Sequence, residues 1–166
     1  MSLKTTFDHD TYPDSYILDI LNKVRSIAMV GASSNWNRPS NFAMKYLMRK
    51  GFKVIPINPN STEKVILGET VFPNLKSLTE PVDMVDMFRP ATEAFDLVQE
   101  SIEIGSKVFW MQLDIINKDA ANKAEEAGMK VVMNRCPKIE YARLFGELGW
   151  NGINTGVITN RRRRLK

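Results

Sequence analysis

A single cysteine, Cys136, leaves this chain without an internal disulfide and suits a reducing compartment. Histidine is equally scarce. His9 is the only one, and it lies in a polar leader, residues 1–14, that is expected to be mobile. A Ser-His-Asp hydrolase, a Cys-His protease or a histidine-rich zinc site needs histidine inside the fold, so these classes are set aside. No apolar run approaches the roughly 18 residues of a membrane span, and Met1–Asp10 has no signal-peptide core. The expectation is a cytosolic protein with no membrane partner.

What remains is ordinary for one folded domain. The chain has 166 residues, 43% apolar and 25% charged, too apolar for disorder. A chain of this length buries roughly 70% of its unfolded surface and needs no metal or disulfide staple. The net charge of +4 suggests nucleic acid until it is located. Arg161, Arg162, Arg163, Arg164 and Lys166 carry five of the positive charges, which leaves residues 1–160 at −1. The body is neutral, and residues 161–166 form a basic tail that reads as a solvated end. No aromatic side chain interleaves with its arginines to stack on bases.

From residue 25 onward, β-rich runs alternate with helical patterns. Strands are expected at Ser26–Val30, Lys53–Ile57, Val82–Phe88, Lys107–Met111 and Lys130–Met133, with a short one at Thr70–Phe72. Pro39 opens a helix whose Phe42, Ala43, Tyr46 and Leu47 share a face. A helix bearing Ala94, Phe95, Val98 and Ile102 on one face closes at Gly105. Asn117 caps another, with Ala120, Ala124 and Ala127 set to sit close to a sheet. Pro137 opens the last, and Tyr16, Ile17, Ile20, Leu21 and Val24 mark a leading amphipathic helix. This order predicts a Rossmann-like, doubly wound α/β fold: one parallel sheet with helices on both faces.

In such a sheet, ligands sit beyond the carboxyl ends of the strands, so the loop after the first strand is the place to look. Gly31 supplies a tight turn, Ser33 and Ser34 offer hydroxyls, and the helix from Pro39 points free N–H groups at the loop, an arrangement suited to phosphate. Arg38 adds a planar cation that can grip phosphate oxygens in bidentate fashion. A plain strand-to-helix turn with a solvated arginine is the alternative. NAD fits poorly. Gly31-Ala32-Ser33-Ser34-Asn35-Trp36 keeps only the first glycine of G-x-G-x-x-G, and Asn58-Pro59 stands where a carboxylate would grip the ribose.

Val30-Gly-Ala-Ser33, Arg38-Pro-Ser40, Ile57-Asn-Pro59, Val85-Asp-Met-Phe-Arg-Pro90, Trp110-Met-Gln112 and Asn134-Arg-Cys-Pro-Lys-Ile-Glu140 follow one another in order. As a set they resemble the small stand-alone CoA-binding domain proteins, which are similar to the CoA-binding domain of the succinyl-CoA synthetase α subunit. The resemblance covers residues 15–160. It implies a coenzyme A or acyl-CoA ligand held over the strand ends, with no catalysis of its own. By position, Gly31, Ala32, Ser33, Arg38, Pro39 and Ser40 would form the pyrophosphate loop, with the Ser34 hydroxyl read from the loop itself as a further cofactor contact, and Asn58 and Pro59 would lie beside the adenosine. Phe88, Arg89 and Pro90 would wall the adenine side or the pantetheine entry, with Trp110 and Gln112 next along the rim. Two departures stand out: Asp114 replaces a usual Gly, and Asn134 replaces a usual Asp before Arg-Cys-Pro.

Read from composition alone, Phe88-Arg89-Pro90 is a strand end with a helix-initiating proline, and Trp110 is a packing residue. Cys136, at a helix N-terminus, is either a thiol activated by the helix dipole and able to form a mixed disulfide with CoA, or a small buried hydrophobe; the second is preferred. Asp83 and Asp86, three apart in a strand, face opposite ways and form no acid–base pair. Two other readings stay open: an NAD(P)-linked or acyl-CoA-using enzyme subunit completed by a partner, and an RNA-binding or scaffold protein acting through the tail. A homodimer is a general expectation for a parallel-sheet domain of this size.

Overall fold

The computed structural model describes residues 8–146; the basic tail and the last part of the resembling stretch lie outside them. The leading helix α1 (Asp14–Lys23) runs into β1 (Ser26–Val30). The chain continues through α2 (Pro39–Arg49) and β2 (Lys53–Ile57) to a small antiparallel hairpin, β3 (Val65–Ile66) with β4 (Glu69–Thr70). Three further strands, β5 (Met84–Met87), β6 (Val108–Met111) and β7 (Lys130–Val132), alternate with α3 (Ala94–Glu103), α4 (Lys118–Glu126) and α5 (Pro137–Phe145). The five long strands form one parallel sheet in the order β2-β1-β5-β6-β7. The predicted strand at Thr70–Phe72 is displaced: Thr70 belongs to the hairpin, and Phe72 makes a single bridge to Ile57.

Strand periodicity explains why both faces are apolar. Ile27 and Met29 of β1, with Val108 and Trp110 of β6, pack beneath α1, α2 and α5. Ala28 and Val30, with Phe109 and Met111, point the other way onto Ala94 and Val98 of α3 and onto Ala120, Ala121 and Ala124 of α4. Short alanine side chains let α4 approach closely, and the Asn117 side chain accepts from the Ala120 N–H to cap it. Two expected core aromatics lie outside this arrangement. Phe42 and Phe95 are exposed, because the buried faces of α2 and α3 run through Asn41, Ala43, Met44 and Leu47 and through Ala94, Val98 and Ser101. Each is rotated one position away from its sheet-facing neighbour.

The described part of the leader is docked, contrary to the expected mobility. His9 places Nδ1 2.8 Å from the Tyr12 hydroxyl and Nε2 2.6 Å from a Glu125 carboxylate oxygen. Tyr12 accepts from the Met133 N–H at 2.8 Å, while the Tyr16 hydroxyl both donates to the Val131 carbonyl and accepts from its N–H. Two tyrosines thereby satisfy the outer edge of β7, and burial pushes the Tyr12 hydroxyl up to about 12. A homodimer formed by extending the sheet at β7 would have to displace them.

Candidate functional site

The strand order decides where ligands go. From β1 the chain crosses to β2 on one side, while β5 lies on the other, so the loops after β1 and β5 diverge and open a crevice between them. Gly31 stands at that point with φ +88°, and a Cβ there would lie 2.6 Å from the Phe88 carbonyl oxygen and 3.0 Å from Cδ of Arg89. Only glycine fits both the left-handed backbone and the close approach. The Phe88 N–H donates to the Val30 carbonyl at 2.8 Å, and the Gly31 N–H to Ile57 at 2.8 Å, so three strand ends are tied together beneath the loop.

The loop itself is cross-braced. The Ser33 N–H donates to the Ser40 hydroxyl at 3.1 Å, the Asn41 side-chain amide donates to the Ser33 carbonyl at 2.9 Å, and that of Asn58 donates to the Ala32 carbonyl at 2.8 Å. Asn58 is therefore a brace between the β2 exit and the loop, while Pro59 beside it is exposed. Pro39 sits at the first position of α2, where its missing N–H costs nothing. Among the described residues the N–H groups of Ser34 and Ser40 find no acceptor, which leaves two donors free near the positive end of α2, where an anion could accept from them. Arg38, exposed at the N-cap, forms no ion pair among the described residues. Arg89 differs: its Nε and Nη2 reach the two Glu93 oxygens at 3.0 and 2.7 Å, which holds the Glu93 carboxyl below its usual range. Phe88 is half-buried beside it, and Pro90 is exposed.

Two expected rim residues are not on the rim. Trp110 is fully buried on the face beneath α5, and its indole N–H donates to the Arg135 carbonyl at 2.8 Å. Gln112 is only 5% exposed, and its amide donates to Asp86 at 2.6 Å. Strand alternation placed both inward. Asp86 is the unexpected member of this cluster: it is wholly buried, and its second oxygen has no partner among the described residues. Burial, only partly offset by the Gln112 hydrogen bond, pushes its carboxyl up to about 7. Asp83, three residues earlier, instead accepts from the Arg25 and Ser26 N–H groups at the other end of the strand.

Cys136 is the N-cap of α5 and is partly buried. Burial raises its pKa; the amides of Ile139 and Lys138 oppose this, and the charge of Asp86 adds to it. The small-hydrophobe reading therefore fits better than the activated thiol, because desolvation outweighs the helix dipole. Iodoacetamide at pH 7 is expected to alkylate Cys136 of the folded protein at least several-fold more slowly than a free cysteine. Peptide mass spectrometry of timed samples checks this, and labelling as fast as glutathione would contradict it. The two departures from the family pattern meet in space: Asp114 and Asn134 both adopt positive φ, 65° and 55°, and the Asp114 N–H donates to the Asn134 side chain at 2.8 Å. Asn and Asp tolerate this conformation better than other non-glycine residues.

The residue missed by sequence reading is Trp36. It is 71% exposed on the turn between Gly31 and Pro39, and the signal was present: a tryptophan inside a phosphate-type loop with no apolar partner in its periodicity. Among the described residues no helix is long and apolar enough to cross a membrane.

Comparison with known proteins agrees with this fold. A family model described as a CoA binding domain matches residues 25–142. YneT, an uncharacterized protein of Bacillus subtilis (strain 168), is 32% identical over 126 residues, which is 76% of this chain and 92% of that protein. The structure of a hypothetical protein from Pyrococcus horikoshii OT3 is 35% identical, with a TM-score of 0.78 over 87% of this chain and all of the other. A dinucleotide-forming acetyl-coenzyme A synthetase 1 from Ca. Korarchaeum cryptofilum shares the fold at 23% identity and a TM-score of 0.58. That match covers 69% of this chain and 27% of the synthetase.

Proposed function

The chain belongs to the CoA binding domain family, and on that premise we propose that it binds coenzyme A or an acyl-CoA in the crevice between β1 and β5. The phosphates rest against the free N–H groups of Ser34 in the loop and Ser40 at the start of α2, with Arg38 as the charged clamp and Phe88 and Arg89 as the facing wall. The observation that carries this reading is the close approach of Gly31 to Phe88 and Arg89 at the divergence of the two loops. It holds the loop that bears Arg38 and the free Ser34 and Ser40 N–H groups against the end of β5, at a junction that any side chain on residue 31 would force apart. The absent second and third glycines and Asn58 at the end of β2 speak against NAD. A single cysteine and a neutral body fit a cytosolic setting and a small-molecule partner in place of nucleic acid.

Coenzyme A is expected to raise the melting temperature more than NAD or NADP at equal concentration, because ligand binding stabilises the folded state by mass action. Arg38→Ala should remove a large part of that gain, with affinity falling roughly tenfold for a charge-assisted contact of about 1.5 kcal/mol. Differential scanning fluorimetry with the three nucleotides checks both. Equal shifts for all three, or none for coenzyme A, would defeat the reading.

A further inference from the structure

Trp36 is a large apolar side chain exposed to solvent on the turn between Gly31 and Arg38, within the candidate site's loop. The turn that carries it is held in place. The Asn35 N–H donates to the Ser33 hydroxyl at 3.1 Å, the Asn37 N–H to the Asn35 side chain at 2.9 Å, and the Arg38 N–H back to the Asn35 carbonyl at 3.0 Å. Trp36 and Arg38 are therefore both exposed on one braced turn, which in sequence lies between the unsatisfied N–H groups of Ser34 and Ser40. An indole can bury area against a flat ring without losing many rotamers, and among the parts of coenzyme A only the adenine offers an extended π face.

Building on the coenzyme A reading above, we propose that Trp36 is the platform on which the adenine of the bound nucleotide stacks, and that it makes the site select adenine-bearing ligands. Arg38, two residues on, addresses the phosphates of the same nucleotide, so base and phosphate are read by one turn. The pantetheine arm then leaves the turn on the side of Phe88 and Arg89.

The test compares coenzyme A, adenosine 3′,5′-bisphosphate and 4′-phosphopantetheine on the full chain by calorimetry. Trp36→Ala is expected to weaken the two adenine ligands roughly 5- to 150-fold, the equivalent of about 1–3 kcal/mol for one stacked base. It should leave 4′-phosphopantetheine unchanged, and Trp36→Phe should retain most of the affinity. Coenzyme A should also quench tryptophan emission in the wild type. That quenching should vanish in Trp36→Ala even though the other two tryptophans, the buried Trp110 and Trp150, remain. Unchanged affinity, an equal loss for all three ligands, or quenching that survives the substitution would overturn the proposal while leaving the coenzyme A reading standing. A wild type that binds no coenzyme A defeats the underlying reading and this one with it.

Discussion

Replacing Gly31 by alanine is expected to lower the melting temperature by roughly 5–15 °C and to abolish coenzyme A binding. Two penalties combine. A left-handed backbone costs an L-residue about 1–2 kcal/mol. The new Cβ would also meet the Phe88 carbonyl oxygen at 2.6 Å, a backbone atom that cannot rotate away. Relief requires β1 and β5 to part at their carboxyl ends, so the total loss is roughly 2–4 kcal/mol, which in a domain of this size is a shift of that order. The binding loss follows from the same displacement, because the loop donors are positioned by bonds that begin at Gly31. A matched Gly128→Ala control has positive φ but nothing within 4 Å of the added atom, so it should cost less and leave binding intact. Thermal melts and calorimetry on both variants decide. Equal losses would show that backbone conformation, and not the approach to Phe88, sets the requirement.

Stability is expected to fall as pH rises from about 4 toward 7, through Asp86. In the unfolded chain its carboxyl ionises near 3.9, whereas in the folded protein burial holds it up to about 7. Between those values the folded state keeps a proton that the unfolded state has released, so raising the pH favours unfolding by about 1.4 kcal/mol per unit. The stabilising contribution is complete below about 4, declines through this window and is gone above 7. Carboxylates such as Asp19, held low by hydrogen bonds from Lys130 and Lys23, act in the opposite sense and only at acid pH. Asp86→Asn keeps an acceptor for the Gln112 amide and carries no charge. It should be more stable than the wild type at pH 8 and should lose the decline between pH 5 and 7. Urea unfolding of both proteins at pH 5, 6, 7 and 8 measures this; parallel curves would rule out Asp86 as the source.

Much of the fold was legible in one dimension. Apolar runs bounded by Gly and Pro located the five strands of the sheet. Pro39, Pro137 and Asn117 marked helix starts because each performs a task local to its own turn: a fixed φ, a dispensable N–H, or a cap three residues ahead. The loop at 31–40 stood out on the same local grounds. The misplacements share one cause. Phe42 and Phe95 satisfy helical spacing as well as the residues that are buried, and only the direction from which the sheet approaches selects between neighbouring stripes. Trp110 and Gln112 carried the resemblance to the family, yet nothing local distinguishes a strand-end side chain pointing into the core from one pointing at a ligand.

The split between the two levels has a physical basis. The order of elements, the neutral body with its charged tail, and the phosphate-type turn ahead of α2 follow from interactions spanning a few residues, so they can be read along the chain. Strand order is set by contacts between residues far apart in sequence. It takes the assembled sheet to bring Phe88 and Arg89 against Gly31 and to seal Asp86 in the interior. The same assembly leaves Trp36 exposed, because the braced turn that carries it lies beyond the strand ends, where no helix among the described residues packs over it.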